Sequence, residues 1–560
     1  MILYGCPINL SLLSRYAFFC ACVIALVTLP FVPFAWRWPL TVLAGVLVLV
    51  GLNDLVQRRH AVRRNYPILG NIRYLVESIR PEIRQYLLEG DSEPLPFSRA
   101  QRALVYARAK NQDAAKPFGT LIDVYQSGYE FIGHSMRPTA LADSEGFRVK
   151  VGGPQCLQPY SASLLNISAM SFGSLGANAI RALNAGAKLG RFAHDTGEGS
   201  ISPYHREAGG DLIWELASGY FGCRNNDGSF NAQLFREQAR NPQVKMIEIK
   251  LSQGAKPGHG GILPRHKITA EIAATRGISM DEDCVSPACH STFSTPIELM
   301  QFIARLRDLS GGKPVGFKFC LGHPWELMGI AKAILETGIM PDFIVVDGAE
   351  GGTGAAPVEF SDHMGAPLRQ GVLFVHNTLV GLNLRDKIRV GASGKLVSAF
   401  DIASILAIGA DWANSARGFM FAIGCIQARA CHTNRCPTGV TTQDPLRQRA
   451  LVVKDKAQRV YNFHRNTLHA LAELLAAAGI EHPAQLRPKH LVRRVTNTEI
   501  RLFSQIHYFL KPGELLAERI EGEFYARMWN MSSAESFDGP GSTTDLPKRV
   551  SAADGLGAIN

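Results

Sequence analysis

Disulfide pairing is what this sequence lacks first. Eleven cysteines at irregular spacing in 560 residues do not make the framework of a stapled secreted scaffold, and they point to a reducing compartment. No basic stripe interleaved with aromatics is present, so the net charge of +11 does not read as a nucleic-acid footprint. An acidic partner, an anionic substrate or a membrane surface accounts for it better. No strand pattern is followed by G-x-G-x-x-G opening a helix with a downstream acid, which excludes that NAD(P)H fingerprint. Hydrophobic residues make up 46%, enough for a globular core, and the length suits one large catalytic domain with attachments.

Charge is missing altogether from two stretches near the start. Tyr16 to Trp36 carries none, nor does Trp38 to Asn53, and only Arg37 separates them. A membrane helix needs about 20 apolar residues. The first run qualifies, although Pro30 and Pro33 would kink its far end; the second is short and would need its flanks to reach the interface. Arg58, Arg59, Arg63 and Arg64 follow and should stay on the cytoplasmic side. The expectation is a two-helix transmembrane hairpin over 1–55 with both chain ends in the cytoplasm, in the inner (cytoplasmic) membrane. A cleaved signal peptide is the competing reading.

Residues 56–159 read as a helical lead-in packing on the main domain. From about 160 short apolar runs alternate with helix patterns. The strand candidates are 164–172, 191–197, 246–252, 283–287, 314–320, 343–348, 388–393 and 412–417. Eight such repeats suit an α/β fold, the (β/α)8 TIM barrel, over 160–450. Alternation alone does not show closure, so a doubly wound open sheet is the runner-up. Residues 451–530 read as a helical C-terminal extension. The Ser-, Gly- and Pro-rich 531–560 reads as a disordered tail.

In a barrel, chemistry sits at the C-terminal strand ends. Here those ends read AMSFGS, DTGEGS, KLSQGAKPGHGG, KFCLG, VDGAEGGTGAAP, GASGKL and SARGF. Glycines on three consecutive late loops let backbone N–H groups approach a phosphate, which suggests a phosphate-bearing cofactor. Lys318 ends an apolar run, where a fixed cation would stabilise the negative charge of a reduced flavin. Lys256 lies in a long loop and could hold a carboxylate, and Glu198 sits in a glycine-flanked loop.

One stretch, GCIQARACHTNRCPTG (424–439), gathers Cys425, Cys431 and Cys436. Zinc with His432 as fourth ligand, ordinary reduced thiols and an iron–sulfur cluster are all open. The paired C-x2–4-C knuckles usual for structural zinc are absent, whereas a clustered loop ending in Cys-Pro fits iron–sulfur ligation. Three cysteines suit three irons, one thiolate each.

The stretches MSFGSLGANAIRALNAGAKLG, TGEGS, LASGYFG, IEIKLSQGAKPGHGGILP, DGAEGGTGAAP and GCIQARACHTNRCPTGVTTQDP resemble the FMN-binding synthase domain of glutamate synthase, from about 160 to 450. With apolar N-terminal helices and no other enzyme module, the layout resembles the stand-alone FMN-binding glutamate synthase family proteins. The resemblance implies an oxidoreductase acting on CH–NH2 donors, with FMN and a [3Fe-4S] cluster on Cys425, Cys431 and Cys436. It implies reductive amination of 2-oxoglutarate to L-glutamate through 2-iminoglutarate, with hydride from reduced FMN. By motif match, Met170, Ser171, Gln253, Lys318, Gly351, Gly352, Gly394 and Gly418 would contact FMN. Lys256 and Arg276 would bind the oxo-acid carboxylates, and Glu198 would couple the site to the ammonia source.

Two departures follow. Where the family loop reads Gly-Glu-Gly-Gly-Gln-Leu-Pro, this chain has Gly258-His259-Gly260-Gly261-Ile262-Leu263-Pro264. Ile262 removes an amide that would touch the oxo acid, which favours another oxo acid or an amine-derived imine. The glutaminase domain of the large enzymes is replaced by the apolar helices, so ammonia is expected from solution or a partner. Electrons are expected from a separate protein, ferredoxin-like or an NAD(P)H-dependent reductase subunit. A non-catalytic electron-transfer subunit is the reading from a different class, and homo-oligomerisation is left open.

Overall fold

The computed structural model describes residues 10–93, 96–115 and 117–539. The chain divides into two compact units, Met1–Asp91 and Ser92–Asn560.

In the N-terminal unit, helix α1 (Leu10–Thr28) ends where Pro30 begins a 3-10 turn (Leu29–Phe31), and α2 (Arg37–Val56) returns beside it. The pair closes tightly, since a Cβ on Gly51 would lie 2.3 Å from the Phe19 ring. Cys22, Val48 and Ile68 form a small core with Phe19, Leu26 and Leu47 around it. Among the described residues only α2 is long and apolar enough to cross a membrane. Helix α2 continues through Asn53 and Asp54 to Val56. Two further helices, α3 (Ala61–Asn65) and α4 (Leu69–Ile83), belong to this unit. The buried Asp54 carboxylate draws them in: it accepts from the Ile68 N–H at 3.0 Å and from the Asn71 amide. The expected lead-in over 56–159 is therefore split at Asp91.

The second unit is a closed barrel of eight parallel strands, β1 (Leu165–Ile167), β2 (His194–Asp195), β3 (Leu212–Leu216), β4 (Val244–Lys250), β5 (Val315–Phe319), β6 (Phe343–Asp347), β7 (Arg389–Ser393) and β8 (Trp412–Ser415), with β8 pairing β1. The open-sheet alternative is excluded. One strand differs from the expectation. Residues 283–287 contribute only Cys284–Val285, paired antiparallel with Ile262–Leu263 outside the barrel. The true third strand is Leu212–Leu216, so the KLSQGAKPGHGG loop follows the fourth strand.

Strand alternation divides the barrel interior into two layers. Ala193, Ile213, Met246, Phe343, Val345 and Trp412 fill the lower layer. A hairpin, Arg148–Val151 with Tyr160–Ser163, supplies Val151, Tyr160 and Ala162 to the same cluster. Gly391 makes room for the Trp412 ring, which a Cβ there would meet at 2.6 Å. Two residues further along the strands, Asp195, Glu215, Glu248, Lys318 and Asp347 carry the upper layer toward the C-terminal mouth. The intervening residues, among them Trp214, Ile247, Ile249 and Phe317, face the surrounding helices in the main core.

Helix Arg99–Ala109 is opened by a Ser98 capping box and buries Arg102, Val105 and Ala109. It packs on the long helix Val453–Ala477, where the Asn462 side-chain amide donates to the Ala109 carbonyl at 3.1 Å. The rest of 110–150 is largely irregular. The C-terminal extension is helical over Val453–Ala477 and Glu523–Met531; between them, Leu491–Arg494 and Ile500–Leu502 form a three-stranded sheet with Glu130–Ile132. The first residues of the expected tail are ordered. Ala534 is buried, the Ile297 N–H donates to its carbonyl at 3.2 Å, and Lys332 Nζ donates to the Ser532 carbonyl at 2.7 Å. Residues 540–560 lie outside the described residues.

Candidate active site

Two adjoining cavities open at the C-terminal mouth and share Ala169, Gln253, Gly352, Ala416 and Arg417. The larger has a volume of about 170 Å³ and the smaller about 50 Å³. Every residue expected to touch the cofactor lines one or both: Met170 and Ser171 the larger, Lys318, Gly351, Gly394 and Gly418 the smaller, Gln253 and Gly352 both.

The smaller cavity is built for close backbone approach. A Cβ on Gly352 in its wall would lie 2.6 Å from the Arg417 guanidinium, and beside the cavity the Gly254 N–H donates to Asp347 Oδ2 at 2.7 Å. Lys395 and Arg417 bring cations to the same walls. Arg417 donates to the Glu350 carbonyl at 3.3 Å and stacks over Phe97, 4.8 Å from its ring centre. Phe97 comes from outside the barrel, and no sequence motif marks it.

Lys318 is held in a buried ion cluster. Its ammonium pairs with Glu215 at very short range and with Glu248 Oε1 at 3.1 Å. Burial alone would lower Lys318, but Glu215, Glu248 and Asp195 outweigh it and hold the ammonium well above its ordinary value. Burial, then the charge of Glu248, push Asp195 well above the carboxylate range. Asp195, Glu215 and Glu248 place carboxylate oxygens within 4.8 Å of one another. Sequence reasoning missed all three. The signal was there: Glu215 interrupts the apolar run LIWEL, and Glu248 and Lys250 stand two apart in MIEIK.

In the larger cavity Glu198 pairs with Lys250 at 2.8 Å, and the Ser286 hydroxyl lies 3.4 Å away. Burial raises the Glu198 carboxyl, but Lys250, Arg276 and Lys256 overcome it and bring the carboxyl down to about 2. Gly261 passes so close that its Cβ would lie 2.0 Å from Glu198 Oε1. Lys256 lines the cavity and donates to the Gly260 carbonyl at 3.3 Å; burial lowers its ammonium. Ile262 also lines the cavity and is 42% exposed. His259 does not line it, its ring standing against Phe360 at 5.4 Å. Arg276 is buried behind the wall, donating to Ser171 Oγ at 3.3 Å and the Phe172 carbonyl at 3.2 Å.

The cysteine loop borders this cavity, with Cys431 and His432 in its lining. All three cysteines are free thiols. Burial raises Cys425 to about 12, with Cys431 and Cys436 adding to it. The Gln427 N–H donates to Cys425 Sγ at 3.5 Å, and Thr438 Oγ1 lies 3.5 Å from Cys436 Sγ. Gln427, Arg429 and Asn434 all have φ between 55° and 61°, a conformation that costs non-glycine residues about 1–2 kcal/mol each. Lys267 braces the loop, donating to the carbonyls of Cys431 at 3.2 Å, Thr441 at 3.2 Å and Ser174 at 3.0 Å. Tetrahedral zinc with bonds of about 2.3 Å would hold its sulfurs about 3.8 Å apart. Among the described residues the three thiols and His432 do not form a group within 4.8 Å.

Residues 154–481 match the family described as "Conserved region in glutamate synthase". This chain belongs to the glutamate synthase family. The Glutamate synthase large subunit-like protein YerD of Bacillus subtilis is 36% identical over 88% of this chain and 98% of its own length. The archaeal glutamate synthase [NADPH] of Methanocaldococcus jannaschii is 35% identical over 57% of this chain, which spans 60% of that protein's length. The glutamate synthase [NADPH] large chain of B. subtilis is 31% identical over 56% of this chain and 20% of its own. A glutamate synthase family member with this mouth is an oxidoreductase.

Proposed function

We propose that this protein binds FMN and a [3Fe-4S] cluster and reductively aminates a 2-oxo acid at the barrel mouth. The observation that carries the proposal is the gathering of all eight expected cofactor contacts, Lys256, Glu198 and Cys431 around two joined cavities.

The smaller cavity suits a flavin phosphate. Its walls combine glycine backbone with Lys395 and Arg417. The thiols suit a cluster rather than a single zinc, because each sulfur ligates its own iron and they need not converge. When bound, FMN supplies hydride transfer and the cluster one-electron transfer.

The residues then divide the work. Lys256 meets a carboxylate of the oxo acid as an ion pair. Glu198 stays ionised at any working pH, so it accepts hydrogen bonds from ammonia and does not donate a proton. Ammonia adds to the oxo carbon, water leaves, and the imine takes a hydride and a proton to give the amino acid. Arg276 positions Ser171 from behind. Lys318 and its two carboxylates set the charge on the floor, and Gly261 lets the substrate loop reach Glu198. Electrons come from a separate ferredoxin-like protein or reductase subunit, and ammonia from solution or a partner.

Ile262 favours a second substrate reading. It puts an apolar side chain on the cavity wall, and a site lacking a polar partner holds 2-oxoglutarate less well. An oxo acid with a less polar end fits that wall better.

The apolar α2 and the arginines after it support an anchor in the cytoplasmic membrane, with the barrel on the cytoplasmic side.

The test is anaerobic. The purified holoprotein is reduced, then mixed with ammonium and a panel of 2-oxo acids while flavin absorbance is followed. Reoxidation that needs both reagents is expected. Reoxidation by no oxo acid would leave the protein a non-catalytic electron-transfer subunit. Iron and sulfide content with electron paramagnetic resonance tests the cluster.

A further inference from the structure

Helix α4 is amphipathic in an unusual place. At 100° per residue, Leu69, Ile72, Leu75, Val76, Ile79 and Ile83 fall within an arc of about 120°. Leu75 is 62% exposed, and Leu69, Ile72, Val76 and Ile79 are exposed as well. A π-helical turn, Arg84–Leu88, continues the helix with Tyr86, Leu87 and Leu88 exposed.

The opposite face is fixed. A Cβ on Gly70 would lie 2.8 Å from Arg63 Cα. Tyr74 takes the Arg63 guanidinium over its ring at 4.4 Å and the His60 ring at 4.9 Å. Asn71 reaches Asp54 at the end of α2. These contacts hold the apolar arc outward, immediately beyond the end of α2.

Charge points to the occupant. Arg73, Arg80 and Arg84 fall along one flank of the arc, within about 60° of Leu69 on the same projection. Between residues 57 and 90 the chain has seven arginines and three glutamates. An apolar face bordered by arginine, tied to the end of a spanning helix, is the pattern of a helix lying in the headgroup region of an anionic leaflet.

We infer that α4 and the turn after it lie in the membrane interface, with the apolar arc in the acyl boundary and the flanking arginines on anionic lipid headgroups. The inference rests on the reading of α2 as a membrane span and adds a second, interfacial contact to it.

The test uses the full chain, reconstituted in phosphatidylcholine vesicles with and without phosphatidylglycerol. An environment-sensitive fluorescent amino acid replaces Ile79, Ser78 on the fixed face, or Val46 of α2, in separate preparations. Quencher is carried on lipids either near the headgroup or deep in the chains. Ile79 should be quenched by the shallow lipid roughly threefold more than Ser78, and Val46 by the deep lipid. Arg73→Glu with Arg80→Glu should reduce the Ile79 signal by about half in anionic vesicles. Quenching at Ile79 no greater than at Ser78, with Val46 still quenched, would overturn the inference and assign the face to a protein partner or a second copy. An unquenched Val46 would sink the spanning reading and leave the Ile79 comparison to stand by its own result.

Discussion

The Lys318 ammonium lies 3.1 Å from the Glu248 carboxylate, with Glu215 on its other side, and all three side chains are buried inside the barrel. A cation offered to the negative charge of a reduced flavin is thus already shared with two carboxylates.

Glu215→Gln should leave that cation with one ionic partner. In the holoprotein the flavin potential should rise, by about 30 mV for each 1.4 kcal/mol of added stabilisation of the reduced form in a two-electron couple. Lys318→Met should behave oppositely and more severely. Uncompensated buried carboxylates are expected to cost about 3–5 kcal/mol in stability, read by denaturant titration, with loss of flavin.

Glu198→Gln removes the nearer ionic partner of Lys250 and leaves it Glu215 at 3.9 Å. The Glu198 carboxyl is lowered to about 2, below its unfolded value of about 4.3. Its contribution is therefore present above a pH of about 4.3 and lost as pH falls toward about 2. At neutral pH the variant should be less stable by about 3 kcal/mol. The gap from wild type should close on acidification through that window. A gap independent of pH would contradict the ion pair.

Ile262→Gln should restore a polar group to the cavity wall. A hydrogen bond to a charged group contributes about 1.5–3 kcal/mol, so kcat/KM for 2-oxoglutarate should rise by about tenfold or more. Activity with less polar oxo acids should fall. Steady-state comparison of the two substrates in both proteins checks the direction.

Cys436→Ser should remove the three-iron resonance and lower iron content while flavin absorbance stays. Wild-type iron in this variant, with electron flow to the flavin intact, would rule out the cluster assignment.

Much of this was legible in the sequence because it is carried by local patterns. Glycine-rich strand ends and the cysteine loop announce themselves in consecutive residues. Charges at two-residue spacing inside apolar strands announce themselves less. Glu215 and Glu248 escape notice because a strand is normally read for its apolar residues, and Leu212–Leu216 yields to 283–287 for the same reason. Phe97 reaches the mouth through tertiary contacts that no local pattern encodes. The lengths of the two N-terminal helices depend on where proline stops one and on a polar end that the other tolerates.

Strand β4 sends Met246 to the lower plug and Glu248 and Lys250 to the mouth, while Ile247 and Ile249 hold the outer helices. Fold and chemistry are thus interleaved on one backbone at a spacing of two. Deleting a single residue there would transpose the two sets, driving isoleucine into the ionic floor and carboxylate into the oily shell. The loop beyond Lys250 can change where it faces away from the cavity, as at His259, but the length of this strand must stay fixed.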